Sequence, residues 1–173
     1  SEEEKLKRVL EDVERDLRRN KRENEKSLEE SKKVNDDNRR RNKEALDEVK
    51  KVLEDLNLPE DTLTDLEDKL RKIKRDSERE NERHKEELDR SEEESRRTLK
   101  RAREKLEELR KTSKDKSDEE LVDEIRKLLE RLNEISERIH RRNKELDDEL
   151  NEISKRIRER IEDLKRRAEE RAR

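Results

Sequence analysis

Between Asn20 and Asn42, the stripe that a long amphipathic helix would turn inward is polar: Asn20, Asn24, Ser27, Ser31, Asn35, Asn38 and Asn42 recur every third or fourth residue. On either side the same stripe is apolar, with Leu6, Leu10, Val13 and Leu17 before it and Ala45, Val49, Val52 and Leu56 after it. Disordered chains have no reason to keep a helical period, so this is one helix whose inner face changes character midway. Buried amides and hydroxyls are costly unless hydrogen-bonded. Whatever packs against this helix must therefore present polar groups at matching heights.

The rest of the chain is built to be helical. Of 173 residues, 62% are charged, none is Gly, Cys, Met or aromatic, and one is Pro. The apolar set is Leu, Ile, Val and Ala, which fills narrow helix-helix seams rather than a broad globular core. Ser1-Glu2-Glu3-Glu4 and Ser117-Asp118-Glu119-Glu120 are capping-box patterns that start helices. Asn57-Leu58-Pro59 stops one, because Asn tolerates the left-handed conformation and the residue before Pro is pushed out of the α region. The expected helices are 2–57, 60–112 and 118–172, in a single domain spanning 1–173. Rods of matched length, each roughly 80 Å at ~1.5 Å per residue, joined by short loops predict an all-α, elongated, up-down-up antiparallel three-helix bundle of coiled-coil type.

A register follows from the loops. If Leu56 faces Leu63 and Leu109 faces Val122, strict antiparallel counting defines every layer. One end becomes Leu10/Leu109/Val122, Val13/Leu106/Ile125 and Leu17/Ala102/Leu129. The other becomes Val49/Leu70/Ile161, Leu53/Leu66 beside Leu164, and Leu56/Leu63/Ala168. In between, polar meets polar: Asn24/Ser95/Ser136, Asn38/Asn81 beside Asn151, Asn42/Ser77/Ser154, and Asn20 with Thr98 and Asn133. His84 falls with Asn35 and Asp147, His140 with Ser91 and Ser27 or Leu28, and Ser31 with Leu88 and Asn143. These side chains are the expected members of interior hydrogen-bond networks. The third helix also carries an extra apolar row, Leu132, Ile135, Ile139, Leu146, Leu150 and Ile153. Either it faces the bundle axis broadly, or it is an exposed stripe through which the chain self-associates or binds a partner helix.

Charge and motifs exclude several function classes. The net charge is -3, and 52 basic and 55 acidic residues are mixed along the chain, unlike the one-sided basic field that attracts nucleic acid. No run approaches the ~18 apolar residues of a membrane span, so a soluble protein is expected, with no membrane partner. Without Gly there is no phosphate-cradling loop. His84 and His140 titrate nearest neutrality but lie about two turns apart in the counted register, too far to share a metal ion. Ser91, His140 and Asp147 supply triad residue types without triad geometry. The expectations are no enzyme activity, no cofactor, no metal and no small-molecule ligand.

The repeated Ser-x-x-Glu caps, matched helix lengths, surface of Asp, Glu, Lys and Arg, and aligned Asn/Ser/His layers resemble de novo designed helical bundles with buried hydrogen-bond networks. The resemblance implies no natural substrate. It implies a scaffold whose polar layers specify pairing and register, with a pH response through His84 and His140 as a further use. A spectrin-like repeat also has three helices, but this chain lacks its core Trp and its helices are longer.

Overall fold

A computed structural model describes residues 1–172, apart from the side chains of Ala168, Arg171 and Ala172. It contains three helices: α1 Glu2–Asp55, α2 Glu60–Arg110 and α3 Asp118–Ala172. Each begins and ends for a local reason. The Ser1 hydroxyl accepts from the Glu4 N–H at 3.3 Å, and the Ser117 hydroxyl accepts from the Glu120 N–H at 3.2 Å. Both caps satisfy a donor that the helix leaves orphaned, beside acids that suit the positive end of the helix dipole. Asn57 follows α1 with φ of 49°, the left-handed region expected of it. α2 ends two residues before its expected limit. Its last turn tightens through Lys111 N–H to Glu108 O, and the Lys114 ammonium donates to Leu109 O at 3.0 Å, so its terminal carbonyls are held without a further turn.

The chain forms two compact units, each drawing on all three helices. The first comprises Ser1–Ser31 and Glu87–Arg142. Its core holds Val13, Leu17, Ala102, Leu106, Leu109, Val122, Ile125 and Leu129, the apolar layers counted from the second loop. A smaller cluster of Leu28, Leu88, Ile135 and Ile139 sits within the same unit. The second unit comprises Lys32–Glu86 and Asn143–Arg173, with Val49, Leu53, Leu66, Ile157, Ile161 and Leu164 buried at its core. Leu56, Leu63 and Leu70 pack against that core half-buried. The side chain of Ala168, expected to complete the last layer, lies outside the described residues.

Ion pairs tie the helices of the first unit in the antiparallel sense. Arg110 donates to Glu14 at 2.6 Å between α2 and α1. Between α2 and α3, Lys105 reaches Glu124 at 2.8 Å, Arg142 reaches Glu87 at 2.8 Å, and Arg131 and Arg138 both clasp Glu94 at 2.9 Å. Counting only interior layers gives no sign of these ties. They depend on how each helix is rotated about its axis as well as on register. The Arg138 hydrogen bond, with that from Arg131, holds the Glu94 carboxyl below its usual 4.5. Lys105 and then Lys116 pull Glu124 down to about 2. A carboxylate with a depressed folded pKa stabilises the fold above its unfolded value and loses that contribution as pH falls through the folded one. The Glu124 clasp should thus be intact at neutrality and fail between 4.5 and about 2, its midpoint read from the side-chain carbon shift by NMR. Lys105→Ala should move that midpoint upward.

Candidate functional site

The candidate site is the set of polar side chains that the three helices turn inward. Asn24 is its best-defined member. Its side chain is 1% exposed, and its Nδ2 donates to Ser95 Oγ at 2.9 Å and to Ser136 Oγ at 3.1 Å. One amide on α1 thus holds a hydroxyl on each of the other two helices, and the three residues are those the loop-derived register aligns. Ser136 Oγ also donates to Leu132 O at 3.1 Å, so it both accepts and donates. In the second unit Asn42 Nδ2 donates to Ser77 Oγ at 2.9 Å, again the counted pair.

Burial sorts the expected members. Asn24, Ser31, Asn38, Asn42, Ser77, Asn81, His84, Ser91, Ser95, Thr98 and Ser136 are buried, and every buried polar side chain among the described residues was an expected one. Asn20, Asn35, Asn143 and Ser154 are half-buried. Asn20 and Thr98 do not meet other side chains in these bonds. Asn20 Nδ2 donates to Asp16 O and Thr98 Oγ1 to Glu94 O, each at 2.8 Å within its own helix.

Three expected members are corrections. Asn133, His140 and Asn151 are exposed, and Asn133 donates to Glu137 at 3.4 Å along the surface of α3. The cause is the apolar row. Each of the three directly follows a row residue, Leu132, Ile139 or Leu150, which are 0%, 4% and 3% exposed. Successive helical residues are about 100° apart, so a helix turned to bury the first carries the second outward. The row itself is a second correction to one of its two readings. Leu132, Ile135, Ile139, Leu146 and Leu150 are buried within the chain and Ile153 half-buried, so this is not an exposed stripe. Leu146 and Leu150 are buried outside the apolar clusters, in the segment that also buries Asn38, Asn42, Ser77 and Asn81.

The interior is only partly satisfied by its own side chains. Asn38 Nδ2, Asn81 Oδ1, Asn35 Oδ1 and Asn143 Oδ1 are buried with no hydrogen-bonding partner in the protein. A buried polar atom in that condition costs about 1–3 kcal/mol. Beside them the second unit opens into a cleft of about 560 Å³ lined by Asn35, Asn81, Arg39, Arg75, Arg79 and acidic neighbours.

Among the described residues no group of three His, Asp or Glu side chains could hold a metal ion. His84 is 2% exposed, whereas His140 faces solvent. Ser91 is buried away from such an exposed ring. The contrast gives a test by thermal unfolding. His140→Ala should change stability by no more than about 0.5 kcal/mol, as exposed positions do. His84→Ala should cost at least about 2 kcal/mol, since it empties a packed interior position.

Among the described residues no helix is long and apolar enough to cross a membrane. Comparison with protein-family models, with curated proteins and with solved structures finds no match to the chain.

Proposed function

We propose that the chain is a designed structural scaffold of coiled-coil type, without enzyme activity or a natural substrate, whose interior polar layers select one helix register. The observation that carries this reading is the Asn24 layer, where a single amide donates to Ser95 and Ser136 on two different helices. An apolar seam of Leu and Ile accepts slipped pairings at little cost. A slip by one turn would strand Asn24, Ser95 and Ser136 against apolar neighbours, each stranded group costing about 1–3 kcal/mol. Satisfied networks contribute little net stability, so their effect falls on which structure forms rather than how firmly. The repeated caps, the nearly equal helices and the burial or half-burial of every Asn and Ser within α1 and α2 support a designed origin.

The test is to change Asn24, Asn38 and Asn42 together to Leu. The expected product is more stable by roughly 1–4 kcal/mol and populates more than one mass in light scattering. A less stable variant that stays monomeric would sink the proposal. The second reading, a module that recruits another helix through the α3 row, loses its support because that row is already covered. A pH response through the interior rests with His84, which is buried, and not with His140, which faces solvent.

A further inference from the structure

The two connections of the chain differ in what they permit. Between α1 and α2, Asn57 has a φ of 49° and Pro59 stands just before the first residue of α2. One continuous helix through that corner would need Asn57 to leave the left-handed region. It would also leave Pro59 without an N–H to donate and set its ring against the Asp55 carbonyl. That connection is a fixed corner. Between α2 and α3, residues 111–117 read Lys-Thr-Ser-Lys-Asp-Lys-Ser, with no Pro, no Gly and no positive φ. Nothing in that stretch of backbone forbids a helix. The turn is held by side chains instead. The Lys114 ammonium donates to Leu109 O and pairs with Asp118, Lys116 pairs with Glu124, and the Ser117 hydroxyl caps the Glu120 N–H. A continuous helix trades those contacts for backbone hydrogen bonds through the same stretch, and it satisfies the last carbonyls of α2 and the first N–H groups of α3 as well.

We propose that residues 111–117 are a hinge through which two copies of this chain exchange α3, each Asn24 layer of the dimer being completed by Ser136 from the second copy. The hinge straightens into helix, so that α2 and α3 run on as one rod, while the α1–α2 corner stays closed. α3 carries its own address. Its Arg131 and Arg138 meet Glu94 of α2, its Arg142 meets Glu87, and its Glu124 meets Lys105. A second copy's α3 presents the same charges and the same Ser136 at the same heights, so it fits α1 and α2 as well as the chain's own. The exchanged dimer thus repeats every interhelical contact of the monomer, and only the hinge and the protein concentration decide between them. A short connection holds its helix at an effective concentration on the order of 1 mM, which is where monomer and dimer should share the mass. The register is the same in both, so the exchange leaves the reading of the polar layers untouched.

The test unfolds the full-length protein in guanidinium chloride and refolds it at about 1 mM and at about 10 μM, concentrations that bracket the effective concentration of the hinge. Size-exclusion chromatography with light scattering reads the masses. Roughly half the protein is expected as dimer at the higher concentration and a few per cent at the lower. Changing Thr112, Ser113 and Ser117 together to Ala should move the equilibrium at least about tenfold toward dimer, because Ala favours helix and the cap is lost. A pair of charge variants separates exchange from side-by-side association. One copy carries Glu94→Arg, the other Arg131→Glu with Arg138→Glu. Alone, each sets like charges against each other between its own α2 and α3. Refolded together, the two match at both Glu94 positions only if they exchange α3. The expected product is a one-to-one heterodimer by native mass spectrometry, unfolding at a higher temperature than either variant alone. A variant that fails to fold by itself keeps the test intact, since mixing rescues it only through exchange. Monomer alone after refolding at the higher concentration would overturn the proposal. So would heterodimers no more frequent than homodimers, or a dimer that forms within seconds of concentrating the folded protein, since exchange requires α3 to detach.

Discussion

Ile125→Ala should cost about 2–5 kcal/mol in urea unfolding followed by far-UV circular dichroism, the range for emptying a close-packed site. Ile125 is 0% exposed and lies among Val13, Leu106, Leu109, Leu121 and Leu129. With only aliphatic side chains available, no neighbour has the size of an aromatic ring to lean into the space left behind. The matching change in the other unit, Leu63→Ala, should cost less than about 2 kcal/mol, because a half-buried leucine recovers only part of the transfer free energy of full burial. Equal losses at the two sites would contradict the full burial of Ile125 and the half-burial of Leu63. The comparison also asks whether the first unit carries most of the stability of the fold.

Asn24→Ala should cost about 1–3 kcal/mol although it removes no apolar surface. It deletes both interhelical hydrogen bonds of the layer and leaves the buried Ser95 and Ser136 hydroxyls without their amide donor. Ser136 is cushioned, since it keeps its bond to Leu132 O. A double-mutant cycle isolates the pair. Asn24→Ala and Ser95→Ala should be less than additive by about 0.5–1.5 kcal/mol, the range for one net hydrogen bond between neutral groups. Strict additivity would mean that the two residues are neighbours without being partners. Asn38 is the useful contrast, because its Nδ2 has no partner to lose. Asn38→Ala should therefore be milder than Asn24→Ala, although both residues are buried.

How much was legible in advance depends on which geometric variable a residue tests. Axial position was legible. The lengths of two short loops set the antiparallel register, and the Asn24/Ser95, Asn24/Ser136 and Asn42/Ser77 bonds fall where counting puts them. Helix starts were legible because a Ser hydroxyl three residues before an acid is a local device, seen again at Ser1 and Ser117. Helix ends were less so. α2 stops at Arg110 because Lys114 and Lys111 satisfy its last carbonyls, a matter of loop geometry that composition does not encode.

Rotation about the helix axis was legible only for α1 and α2, where a single stripe leaves one choice of inward face. α3 offers two adjacent stripes, one apolar and one polar, and local sequence gives no reason to prefer either. Packing decides. Burying Leu132, Ile139 and Leu150 is more favourable than burying the amides and imidazole that follow them, so α3 turns its apolar row inward and Asn133, His140 and Asn151 outward. The ion pairs of Glu94 with Arg131 and Arg138 follow the same rule, for they exist only once that rotation has brought the charged flanks of α2 and α3 together. The sequence by itself determined the helices, their direction and the heights of the Asn24 and Asn42 layers, since these depend on local periodicity and chain connectivity. The tertiary structure decided which side chains at each height are buried, which amides are left without partners and which leucines stay half-covered, since these depend on how the three helices compete for the interior of each unit.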